Sequence, residues 1–110
     1  MTLKATFLAF IIAALPAAAS ANHDPEQAKQ AMLHAHHKMM AEMESIQPTG
    51  HADRDFVTMM IPHHQGAIDA AKVELQFGHD EKLRTMAKKI IAAQEREIAE
   101  MEAWLAANPQ

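Results

Sequence analysis

Apolar residues recur along most of this chain at spacings of three and four, the period of an α-helix that buries one stripe. No stretch alternates apolar and polar as a half-buried strand would. Three such stretches stand between short breaks. Asp24-Pro25-Glu26-Gln27 opens the first: Asp24 can cap, Pro25 suits the first helical position, and Gln27 sits where a capping-box partner belongs. That pattern runs to Ile46 and stops before Pro48-Thr49-Gly50. Asp53 is the cap candidate for the second helix, which runs to Phe77 and ends at Gly78. Asp80 opens the third, which reaches about Ala106 and ends at Asn108-Pro109. The reading is all-α: an antiparallel bundle of three helices with two short connections. Pro62 removes the backbone bond to the Thr58 carbonyl, which predicts a kink or a fresh start immediately before His63-His64.

Wheels at about 100° per residue put one polar side chain in the middle of each apolar stripe. On the first helix Met32, Leu33, His36, Met39, Met40 and Met43 share a face centred on His36. On the second, His64 is central among Val57, Met60, Ile61, Ala67, Ile68, Ala71 and Leu75, with His63 on the flank. On the third, Gln94 is central among Leu83, Ala87, Ile90, Ile98, Met101 and Leu105, and Glu97 leans inward from the side. Counted from the breaks, His36, His64 and Gln94 are expected in one layer, to within about one 5.4 Å turn. Met39, Met40, Met60 and Glu97 fall in the next layer, and Met101 about one turn beyond.

The first residues read as an address rather than as fold. Lys4 precedes an apolar run, Ala5 to Leu15, then small residues ending in Ala19-Ser20-Ala21, an A-x-A cleavage pattern. The run is short for a membrane span, which needs about 20 residues, so residues 1–21 are expected to be a signal peptide cleaved after Ala21. That leaves a single domain over residues 22–110, exported to a periplasm or secreted. Removing 21 of the 110 residues leaves 89, with all 8 His and 8 of the 9 Met. A domain of that size is marginal without a staple. Metal binding or pairing of two copies into a homodimer would supply one.

Composition removes several function classes. There is no Cys, hence no disulfide, thiol nucleophile or thiolate site. A net charge of −4 without a basic block argues against nucleic acid, and 3 glycines outside any Gly-rich loop argue against a nucleotide cradle. Ser45 is the one serine beyond the leader, in no nucleophile context. Neither Glu-x-x-His nor H-E-x-x-H occurs, so di-iron and metalloprotease chemistry is disfavoured, and the chain reads as a non-enzyme.

What stands out is the pairing of His with Met. Met59/His63 and Met60/His64 are both i,i+4 pairs, each able to present its donors on one side of a helix, with Gly66 and Ala67 leaving room beside them. Imidazole nitrogen with thioether sulfur favours Cu(I). Two readings stay open on spacing alone: a hydrogen-bonded layer of His36, His64 and Gln94 that fixes helix register, or a metal site.

The stretch Asp53-Arg54-Asp55-Phe56 to Met59-Met60-Ile61-Pro62-His63-His64-Gln65-Gly66-Ala67-Ile68-Asp69, with Ile91-Ala92-Ala93-Gln94 and Glu97-Ile98-Ala99-Glu100-Met101 to Trp104-Leu105, closely resembles the CopM-like family of small secreted bacterial proteins. That family was catalogued as a domain of unknown function, has a His-His motif and is grouped with the ferritin superfamily. The resemblance implies an exported, ferritin-like helical bundle and a role in copper handling, with His63 and His64 as the motif residues; Met59, Met60, Gln94 and Met101 match the surrounding pattern. The di-iron carboxylates of true ferritins are missing. The combined expectation is a copper-binding protein for homeostasis or resistance. Cu(I) is preferred, with Ag(I) or Cu(II) as alternatives. The metal set is His63, His64, His36, Met60, Met59, Met39 and Met40, and Gln94, Glu97 and Met101 support it. No membrane partner is expected after leader removal, and a copper-transfer partner is unidentified. The rivals are a metal-free helical interaction module and a metal-dependent redox enzyme.

Overall fold

The computed structural model describes residues 24–109; the leader expected over residues 1–21, and His23, lie outside them. Three helices follow in order: α1 (Pro25–Glu44), α2 (Ala52–Phe77) and α3 (Glu81–Ala107), with no strand among the described residues. The caps at α1 and α3 form as the sequence predicts. Asp24 Oδ1 accepts from the N–H groups of Glu26 and Gln27, at 3.0 and 3.3 Å, and Asp80 Oδ1 accepts from Lys82 and Leu83, at 2.9 and 3.0 Å. Each satisfies amides that the first helical turn leaves free.

The start of α2 differs from expectation. His51, not Asp53, is the N-cap residue, and it makes no side-chain cap bond. Asp55 instead reaches back into the loop. Its carboxylate accepts from the Thr49 N–H and hydroxyl, both at 2.8 Å, and from the Gly50 N–H at 2.9 Å. These bonds, the Thr49 amide foremost, hold the Asp55 carboxyl below its ordinary value of 3.8. Gly50 takes φ +88° inside that loop, the left-handed region that glycine enters without Cβ strain. At the other end Gly78 stops the helix in an extended conformation, φ −74° and ψ 154°, rather than a left-handed cap. Arg84 of α3 closes this end by donating to the carbonyls of Leu75 (2.7 Å) and Gly78 (3.2 Å). Helix α2 runs unbroken through Pro62, so no new segment begins there.

Helix α2 packs against both neighbours, while α1 and α3 do not approach each other. On the α2 wheel Gly66, which meets α1, and His64, which meets α3, are about 200° apart. The helices therefore form a single layer with α2 in the middle. The core is thin: Ala35, Val57, Ile68, Ala71 and Ala87 are its buried hydrophobic residues. Helix α1 packs through small side chains, Ala28, Ala31 and Ala35, followed by Met39. A Cβ built on Gly66 would lie 2.7 Å from Met39 Cγ and 2.9 Å from Met39 Cβ, so the bare glycine is what lets Met39 seat. The room expected beside Gly66 for the histidine pairs is taken by that methionine. Lys38 Nζ, 3.2 Å from Asp69 Oδ2, ties the same seam and raises the lysine's pKa above 10.5, chiefly through that hydrogen bond.

Candidate metal centre

His64 is the most constrained donor. It projects from α2 into the α2–α3 seam, its side chain 17 % exposed, and its Nε2 lies 2.5 Å from Glu97 Oε2 on α3. Its other ring nitrogen, Nδ1, is buried and has no hydrogen-bond partner. With Nε2–H donating to the carboxylate, Nδ1 carries a lone pair facing the protein interior. An unpartnered buried nitrogen costs about 1–3 kcal/mol. A carboxylate on the far nitrogen of an imidazole is also the usual means of fixing the tautomer and raising the basicity of a metal-bound histidine.

The His64–Glu97 tie sets the register of two antiparallel helices. Four residues before His64 and four after Glu97, that register brings Met60 opposite Met101, one turn toward the first loop. Both are half-buried. Gln94 falls opposite Ala67, about 4.5 Å along the axis from His64 and so within the one turn expected, while the side chain that bonds the His64 ring is Glu97. The inward lean of Glu97 on the wheel was the legible signal for this pair.

His63 is exposed on the flank of α2, its ring centroid 6.3 Å from that of His64 in an edge-on arrangement. Met59, one turn earlier on the same side, is half-buried. The α1 donors are placed differently from expectation. His36 is exposed, with its ring centroid 6.0 Å from that of His37, and Met40 is 39 % exposed. The Lys38–Asp69 and Met39–Gly66 contacts put His36 level with Ala70, six residues or roughly 9 Å along the axis from His64. The common layer of His36, His64 and Gln94 therefore does not form. The physical cause is the face α1 uses: its alanine stripe, about 90° around the helix from His36, allows closer packing than the methionine stripe the wheel favoured. Met39 is spent on Gly66. The same register sets Met43, half-buried and not among the expected ligands, level with His63. Its i,i+4 spacing from Met39 was the sequence signal for it.

Among the described residues no group of three or more His, Asp or Glu gathers closely enough to hold a metal ion. Nitrogen and oxygen donors alone thus do not build a site there. An open cavity of about 740 Å³ lies at the first-loop end, between Thr49, His51, Arg54, Trp104 and Asn108. It stands some ten residues, roughly 15 Å, from His64 along α2 and contains no thioether. Among the described residues no helix is long and apolar enough to cross a membrane.

A family model described as a domain of unknown function, DUF305, matches residues 9–105, and the chain belongs to that family. No curated protein is significantly similar to it.

Proposed function

We propose that this DUF305 member is an exported, non-catalytic copper-binding protein that takes Cu(I), or the similarly soft Ag(I), as cargo for buffering or sequestration. The observation that supports it is the buried, unpartnered Nδ1 of His64, whose opposite nitrogen is held by Glu97. Thioether donors stand one turn away on both sides of the seam, Met60 on α2 and Met101 on α3. Met101, expected from the sequence to support the site, becomes a ligand in this reading. His63 and Met59 form a second donor pair on the more exposed flank, suited to capturing an ion on its way in. Soft sulfur with borderline imidazole matches Cu(I) better than Zn(II) or iron, which would draw on nitrogen, oxygen or thiolate. His36 and Met40 stand outside this site, and Met39 serves the α1–α2 seam.

The test is an anaerobic Cu(I) titration against a competing chelator, with X-ray absorption to count sulfur neighbours. The expected result is tight binding with Cu–S scattering, weakened at least ~100-fold by His64→Ala and by the pair Met60→Leu with Met101→Leu. In the competing reading the His64–Glu97 pair only fixes the register of α2 on α3. It would then bind no Cu(I), and His64→Ala would cost stability alone; that result would remove the proposal.

A further inference from the structure

A layer of three helices has two broad faces, and here they differ sharply. Advancing each helix by about 100° per residue, with neighbours antiparallel, sorts the exposed side chains. Of the exposed large hydrophobics, Met32, Met40, Phe56, Leu83 and Met86 turn toward one face and Leu33 stands at its outer edge; His36, His63 and Glu74 share that face. The opposite face carries the Lys38–Asp69 ion pair, the Gln65–Asp69 hydrogen bond, Lys72 and Arg84.

The apolar face has relief. Between α2 and α3 runs a shallow groove with a floor of Ala67, Ala70 and Ala71 and walls that include Leu83 and Met86. On α1 the side chains of Met32, Leu33 and Met40 stand up as a ridge. The Lys38–Asp69 and Met39–Gly66 contacts place that ridge level with α2 positions from about Glu74 back to Gly66. The groove spans Ala67 to Glu74. Ridge and groove therefore lie at the same height, on opposite margins of one face.

We infer that this face is the interface of a homodimer, two layers stacked face to face as six helices. A two-fold axis parallel to the helices lays the α1 ridge of one copy into the α2–α3 groove of the other, and does so twice. This is the self-complementarity an isologous interface requires. The area also suits it. The five ridge and groove side chains Met32, Leu33, Met40, Leu83 and Met86, 39–54 % exposed, supply on the order of 400 Å² of apolar surface. That is within the range of the largest apolar patch on a typical monomer and about half of the ~800 Å² per partner of a stable interface, the rest coming from the alanine floor of the groove and the side chains around it. Burial of this face also gives each chain the core it lacks alone. The inference is independent of metal.

The experiment is sedimentation equilibrium on metal-free protein as exported by a bacterial host, its N-terminus read by mass spectrometry. The expected result is a dimer with a dissociation constant on the order of 1 μM or tighter. Met32→Lys on the ridge and Met86→Lys in the groove each weaken it at least tenfold. Helix content by circular dichroism stays unchanged, because those side chains are 43 % and 54 % exposed in a single chain. Lys72→Glu on the polar face leaves the dimer intact. The chain has no cysteine, so spin labels on Leu33→Cys and Met86→Cys mixed together report a short distance between copies. A monomer at all concentrations overturns the inference. So does a dimer indifferent to both lysine variants, or an exported form that retains residues 1–21 and stays monomeric while the chain from Asn22 dimerises.

Discussion

At the residue scale the informative atom is His64 Nδ1. One ring nitrogen is held by a carboxylate and the other has no protein partner, which is a poor arrangement for stability alone. Removing the carboxylate tests the proposed role while leaving His64 in place. Glu97→Gln keeps the side chain's shape and an acceptor oxygen but loses the charge that polarises the ring. It is expected to lower Cu(I) affinity about 10–100-fold, read by chelator competition, while the helical signal persists. Asp55 offers a separate test. Its carboxyl titrates below the ordinary 3.8 because loop amides and a hydroxyl bond its charged form. A depressed carboxylate stabilises the fold fully above the unfolded value, and that stabilisation is lost as pH falls through the lower folded value. Melting temperature measured from neutral to strongly acidic pH should therefore drop below pH 3.8, and Asp55→Asn should flatten that part of the profile.

At the element scale the seams rest on small residues. Gly66 admits Met39 because it has no Cβ; a Cβ would strike Met39 Sδ first and then Cγ and Cβ, so the clash reaches the stem near the α1 backbone as well as the flexible end. Gly66→Ala therefore forces α1 away from α2. The expected cost is about 1–3 kcal/mol in denaturant unfolding, despite the better helix propensity of alanine. Gly50→Ala is expected to cost about 1 kcal/mol for a different reason, strain at φ +88° with open space around the new methyl. The N-caps of α1 and α3 and the stop of α3 were legible because they depend on neighbours within one turn, whereas α1 ends at Glu44, two residues before the expected Ile46. The start of α2 was not legible, since Asp55 satisfies loop amides five and six residues back, a bond that a local capping pattern does not encode.

At the scale of the whole molecule, three helices in one layer leave each chain with a thin core and a surplus of apolar surface. Anything that binds the folded form alone then raises stability by mass action. Free Cu(I) or Ag(I) at ~100 times its dissociation constant is expected to add about 2.7 kcal/mol. Differential scanning calorimetry should show a rise in melting temperature that saturates with metal and is absent in His64→Ala.

The sequence by itself determined three helices, their order, two of their caps and the joint weight of histidine and methionine, because helical period and capping are properties of a few adjacent residues. It also marked His63, His64 and an inward Glu97. Only the tertiary structure decided which face each helix spends on its neighbours. Alanines let α1 approach α2 closely, so α1 turned Met32, Met40 and His36 outward and kept Met39 in the seam. That rotation, with a register fixed by Met39 on Gly66 and His64 on Glu97, undid the three-helix layer of polar groups. Hydrophobic periodicity says how much apolar surface a helix carries; close packing between backbones decides where that surface goes.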